Sequence, residues 1–192
     1  MEKPTLGYWK IRALGAHLKM LLEYAGVDYE NREYEIYKKA DGGYDMTDYN
    51  DERPTLGPFP NIPYFKDGDY LLTETGAVTR YIAAKWAPHL CGSTPEVSAM
   101  ADMLYSIWHP IRFSKLTLSM AMGCADKEML RNDVRENIKP LHNWLAGKKW
   151  LCGEELTWVD FYAYEAINIF QFVWEGRLFE EFPLFIIYQN EF

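Results

Sequence analysis

The pattern of apolar residues changes character once, near Pro88, and that change limits the fold more than any other feature of the chain. Up to about Lys85, strand and helix patterns alternate. From Thr94 to Phe192 only helical periodicity is present. A chain of 192 residues suffices for one large domain or two small ones that share an interface. The change of pattern divides it into residues 1–88, mixed α and β, and residues 89–192, all helical.

In the first part, Leu6-Gly7-Tyr8-Trp9 is apolar or aromatic and reads as the end of a buried strand. Leu14, Leu18, Leu21, Leu22 and Ala25 then share one helical stripe, and Gly26 stands where a helix C′ residue belongs. Val27 to Ile36 alternates loosely, as a second strand would. Tyr37 to Pro60 is rich in Asp, Gly, Pro and Tyr, with little period, and reads as a long surface segment. Segments of that length inside a compact domain are usually functional. Asn61 to Phe65 reads as a strand opening at a proline, and Asp67-Gly68-Asp69 as a tight turn into Tyr70-Leu71-Leu72. A helix begins at Thr73-Glu74-Thr75 and runs to about Ala87. The order is βαβ, loop, ββα, with the first strand pair parallel through a right-handed crossover and the last pair a hairpin.

In the second part, one helix is expected from about Pro95 to Met122, kinked at Pro110. Another is expected from Asp126 to Leu145, stopped by Gly147. A third opens at Thr157-Trp158-Val159-Asp160, a capping box in which hydroxyl and carboxylate satisfy each other's end of the chain. Short segments follow around Arg177 and Pro183.

Charge and composition exclude several functions. The formal charge of −8 argues against a general nucleic-acid role, which needs a basic face. No apolar run approaches the length of a membrane span. The start, Met1-Glu2-Lys3-Pro4, looks like no signal peptide. Cys91, Cys124 and Cys152 lie far apart and read as reduced thiols of a cytosolic protein. His17, His89, His109 and His142 have no metal-ligand spacing, so no metal site is expected. No dinucleotide or phosphate-loop motif occurs.

Tyr8 is the candidate for chemistry. A phenol at the tip of a strand, facing a helix N-terminus, is well placed to hold a small anion, because the helix end adds orphan N–H groups and positive potential. The alternative is a core tyrosine with its tip in water.

Four segments, in this order and spacing, carry a resemblance that covers most of the chain: Leu6 to Trp9 with Ile11-Arg12; Leu56-Gly57 with Phe59 to Tyr64; Thr73-Glu74-Thr75 with Ala77; and Thr157 to Phe161. The chain resembles the cytosolic glutathione transferases and is most similar to their mu class. The resemblance implies a thioredoxin-like N-terminal domain followed by an all-helical one, a cytoplasmic homodimer, and glutathione as co-substrate with a hydrophobic electrophile.

It also implies roles. Tyr8 would hydrogen-bond the glutathione sulfur and favour the thiolate, the nucleophilic form. Pro63 would be a cis-proline that presents the main chain of Ile62, with Asn61 beside it, to the extended tripeptide. Glu74 would face the γ-glutamyl ammonium, and Thr75 its carboxylate. Trp9, Tyr49 and Arg53 would serve the glycyl carboxylate. Phe59 would plug into the partner's helical domain, with Arg80 at the two-fold axis.

The chain departs from the mu pattern in several places. Glu74-Thr75 replaces Gln-Ser, and Tyr49 and Arg53 replace Trp and Lys. Pro110 stands where an acidic residue reaches the partner's glutathione, and Met120 where a tyrosine covers the electrophile. The chain also ends about one helix early. The leading expectation is a transferase that conjugates glutathione. The alternatives are a glutathione-dependent isomerase and a transferase-like structural subunit with little or no activity.

Overall fold

The computed structural model describes residues 2–117 and 126–192. The chain divides into two compact units, Met1–Ala87 and Pro88–Phe192.

The first unit is built on β1 (Thr5–Trp9), β2 (Glu30–Tyr34), β5 (Tyr64–Asp67) and β6 (Tyr70–Thr73). They form one sheet in the order β2-β1-β5-β6. β1 and β2 are parallel, joined through α1 (Ala16–Tyr24), and the other pairs are antiparallel. This is the expected βαβ-ββα order. Gly26 takes φ 65°, and the Gly26 and Val27 amides bond back to Glu23 and Leu22, which closes α1.

Each face of the sheet has its own cover. Leu6 and Phe65 are opposite one another on one face, and Phe65 packs edge-on against Trp86 at 5.7 Å on α3 (Thr75–Trp86). Leu6, Leu18, Leu21, Leu22, Phe65, Val78 and Ile82 are fully buried there. Gly7 and Tyr64 are opposite one another on the other face. A Cβ on Gly7 would lie 2.0 Å from the Tyr64 ring, so only glycine lets that ring lie flat across β1.

The stretch read as one long surface segment carries structure. It holds a small hairpin of β3 (Tyr37–Lys38) and β4 (Tyr44–Asp45), then α2 (Thr47–Glu52) and a 3-10 turn at Arg53–Thr55. The reason is packing. Tyr49 and Leu56 drop into a cluster with Tyr34 and Tyr64, against which Trp9, Ile62 and Leu71 also pack. Two apolar anchors seven residues apart are too few to register as a period.

The second unit contains α4 (Pro95–His109), α5 (Lys127–Trp144), α6 (Trp158–Val173), α7 (Leu178–Glu181) and α8 (Leu184–Gln189). Pro110 ends the regular ladder of α4, and the chain continues to Thr117 with π-type winding. A proline lacks the N–H that the α ladder needs, which accounts for the change. The expected helix to Met122, with Met120 and Cys124 in or just beyond it, runs on outside the described residues.

α6 is the central helix of this unit. Trp108 of α4 stacks on its Phe170 at 5.9 Å. Its start is the expected capping box. Asp160, fully buried, accepts from the amides of Leu151 and Thr157 at 2.8 Å each. It also accepts from the Thr157 hydroxyl at 3.0 Å and the Tyr188 hydroxyl at 2.8 Å. Among the described residues no helix is long and apolar enough to cross a membrane.

Candidate functional site

The site is assembled around the C-terminal end of β1. Tyr8 is 4% exposed, and its hydroxyl oxygen accepts the Leu14 amide at 3.1 Å, in the turn that leads into α1. Donation into the phenol oxygen polarises its O–H bond and strengthens the hydroxyl as a donor. Gly15 allows the close approach: a Cβ there would lie 2.5 Å from the Tyr8 ring. The Leu14 amide and the room left by Gly15 both help to hold the phenol. Neither was legible from residue types, because a backbone donor carries no side-chain signature.

The Ile62–Pro63 peptide bond is cis. The β1–β5 pairing ends at Gly7 and Tyr64, so Tyr8 and Pro63 are the next residues beyond that last pair on either strand. The Ile62 amide is not vacant. It donates to the Asn61 side-chain oxygen at 2.9 Å, and the Asn61 amide group donates to Glu74 at 2.8 Å. Glu74 sits at φ 71° and ψ 116°, outside the regions open to ordinary side chains, directly before α3. Thr75 opens that helix and is buried. Asn61, Ile62, Pro63, Glu74 and Thr75 thus form one group at the β5 entrance and the α3 start.

A second group lies at the α2 segment. Trp9 meets the Tyr49 ring edge-on at 5.0 Å and the Tyr34 ring at 6.2 Å. Tyr49 is 9% exposed, so its ring anchors α2 while it belongs to the candidate set. Arg53 begins the turn after α2 and is exposed; its guanidinium makes no ion pair among the described residues.

Between Tyr49 and Arg53 lies a residue that the sequence did not mark. Glu52 accepts the Tyr64 hydroxyl at 2.8 Å and the Arg32 guanidinium at 3.2 Å. Tyr34 in turn donates to the Tyr64 oxygen at 3.1 Å, and Arg32 lies 4.6 Å from the centre of the Tyr34 ring. Burial works to raise the Glu52 carboxyl, but the nearby Tyr34 and Tyr64 hydroxyls and the Arg32 guanidinium outweigh it and hold it below the usual carboxylate range. Burial pushes the Tyr34 phenol up to about 12 and the Tyr64 phenol higher still. Both therefore stay neutral donors at ordinary pH. Among the described residues no cluster of His, Cys, Asp and Glu could hold a metal ion.

A β2-β1-β5-β6 sheet with one parallel pair and a cis-proline before β5, followed by an all-helical unit, defines a thioredoxin-like domain joined to a helical one. The comparisons narrow this class. Residues 4–84 match the glutathione S-transferase N-terminal domain, and residues 101–191 the glutathione S-transferase C-terminal domain. The chain is 36% identical over 185 residues to glutathione S-transferase Mu 1 of Bos taurus, covering 93% of this chain and 80% of that one. It is 36% identical over 171 residues to glutathione S-transferase 2 of Gallus gallus, covering 85% and 74%. The crystal structure of the glutathione S-transferase Blo t 8 superposes with a TM-score of 0.79 at 26% identity, covering 97% of this chain and 85% of that one. The chain belongs to the glutathione S-transferase family.

Proposed function

We propose that this chain binds glutathione on its first unit and joins it, through its sulfur, to a hydrophobic electrophile. The observation that carries the reading is the Tyr8 hydroxyl, bonded by the Leu14 amide, one residue past the last β1–β5 pair, with cis-Pro63 one residue past it on the other strand. The donor is oriented before any ligand arrives, so little reorganisation is needed when charge develops on sulfur.

The tripeptide lies extended along the strand edge. Its cysteinyl main chain takes over the Ile62 amide from the Asn61 oxygen. Glu74 faces its ammonium, and the Thr75 hydroxyl and amide face the γ-glutamyl carboxylate at the positive end of α3. The Trp9 indole N–H, the Tyr49 phenol and the Arg53 guanidinium hold the glycyl carboxylate. The thiol loses its proton to solvent, and the thiolate, stabilised by the Tyr8 hydroxyl, attacks the electrophilic carbon. In a substitution the leaving group departs with the bonding pair. The proposed setting is the cytoplasm, where thiols such as those of Cys91 and Cys152 stay reduced.

Two measurements on the purified protein test this reading together. It should be retained on immobilised glutathione and eluted by free glutathione, and it should conjugate a chromogenic aryl halide. Failure to be retained overturns it.

Arg53→Ala should weaken glutathione binding with folding intact, because the side chain is exposed and makes no ion pair among the described residues. Loss of a charge-assisted contact costs about 1.5–3 kcal/mol, roughly a tenfold or greater rise in Kd. Calorimetry gives the answer, and an unchanged Kd would remove Arg53 from the site.

The chain is also proposed to be a homodimer. Phe59 is 80% exposed on the loop before β5, more than any other large apolar side chain among the described residues. A ring so exposed fits a plug for the helical unit of a second copy, with Arg80 near the two-fold axis. Light scattering at micromolar concentration should give twice the chain mass, and Phe59→Ala should shift the balance toward monomer. A monomeric wild type counts against it.

A further inference from the structure

We infer that Glu52 is a positioning residue for glutathione, a latch that fixes the α2 segment on the sheet and so sets Tyr49 and Arg53 in place. The inference rests on the binding reading above. α2 has six residues and the turn after it three. Helices this short are not stable by themselves and take their position from tertiary contacts. The Met46 N-cap position supplies no side-chain bond. Tyr49 anchors the front of the segment among Trp9 and Tyr34, and Leu56 anchors the end. Both anchors are apolar contacts, which carry no directional preference.

Glu52 supplies what is missing. It stands between the two candidate residues in sequence, and its two oxygens are taken by different strands. Oε1 receives the hydroxyl of Tyr64 on β5, and Oε2 the guanidinium of Arg32 on β2. Tyr64 itself cannot shift, because its ring is pressed on Gly7 of β1 and its oxygen also receives the Tyr34 hydroxyl. A carboxylate gripped on both oxygens by groups on rigid strands has one orientation. The residue after it, Arg53, inherits that orientation through the backbone. Misplacing a binding group by about 1 Å is enough to lose most of its contribution.

The latch holds a loop that touches glutathione, whereas Tyr8 lies on β1 and is held by Leu14. Its loss should therefore act on binding and spare the chemical step. Glu52→Ala should raise KM for glutathione about tenfold, with kcat at saturating glutathione within about twofold of wild type. Glu52→Gln keeps an oxygen for the Tyr64 hydroxyl and loses only the pairing with half-exposed Arg32, so it should recover most of the affinity. Tyr64→Phe keeps the ring over Gly7 but removes one grip on the carboxylate. It should raise KM several-fold, and it remains informative if the alanine variant does not fold.

Thermal melting of each variant separates mispositioning from unfolding, since a merely structural role lowers the melting point and leaves KM unchanged. A folded Glu52→Ala or Tyr64→Phe with wild-type KM overturns the latch, as does a fall in kcat with KM unchanged. If the wild type itself shows no affinity for glutathione, the binding reading fails instead.

Discussion

Tyr8→Phe is expected to leave glutathione bound and to slow conjugation at neutral pH by up to about a hundredfold. The proposed contacts to the tripeptide come from Trp9, Tyr49, Arg53, Ile62, Glu74 and Thr75, and none of them uses the phenol. In the proposed reading the hydroxyl acts on the sulfur. A free thiol with a pKa near 8.5 is only a few per cent ionised at neutral pH. Lowering it by about two units takes about 2.7 kcal/mol of stabilisation specific to the anion. An oriented hydroxyl donor beside a helix start is a group of that strength. Without it the thiol returns toward its free value, and the thiolate population falls accordingly. The sign of the pH effect follows: the rate of the variant should climb as pH rises toward the free-thiol range, while the wild type is already near its plateau. The variant also leaves the Leu14 amide without its acceptor, at a cost of about 1–3 kcal/mol of stability, so melting must be measured alongside. Conjugation of a chromogenic aryl halide followed against pH decides the matter. A variant that equals an active wild type at every pH removes Tyr8 from the role. A wild type that binds glutathione yet conjugates none of a panel of electrophiles would restore the structural-subunit reading.

The strand order, the first helix, the capping box and the change of character near Pro88 were legible because each rests on a local signal. Leu18, Leu21 and Leu22 announce a helix face, Gly26 its end, and Thr157 with Asp160 the start of another. Tyr8 is proposed from its place at a strand end before a helix start, and Glu74 and Thr75 from the resemblance, since Thr and Glu are common in any first helical turn. The sequence concealed what depends on non-local packing. The α2 segment reads as loop because Tyr49 and Leu56 are its only strong apolar anchors, and their partners Tyr34 and Tyr64 lie on β2 and β5. Glu52 reads as one more solvated charge beside Asp51 and Arg53. Only the fold brings Tyr64 and Arg32 to its two oxygens. Gly7 and Gly15 reveal their need for hydrogen in place of a side chain only when the Tyr64 and Tyr8 rings are seen against them. The winding after Pro110 was expected as a kink; a proline announces that the ladder must break but not how the chain resumes.

Asp160→Ala should be strongly destabilising, lowering stability by about 3–5 kcal/mol. The carboxylate is fully buried and accepts four hydrogen bonds. Two come from backbone amides that have no solvent to turn to, and each orphaned buried donor costs about 1–3 kcal/mol. The carboxylate half of the α6 capping box goes with them, while the Thr157 N-cap stays. The Tyr188 hydroxyl of α8 loses its shorter bond to the start of α6 and keeps the longer one to the Asp160 carbonyl oxygen at 3.3 Å. Alanine also leaves a cavity that the neighbouring backbone is too constrained to fill. Asp160→Asn should cost less, because one acceptor oxygen remains while its amide group now faces donors. Urea unfolding followed by tryptophan fluorescence measures both variants. A fall of less than about 1 kcal/mol for the alanine variant would mean that water replaces the carboxylate and that the box is not what fixes this end of α6.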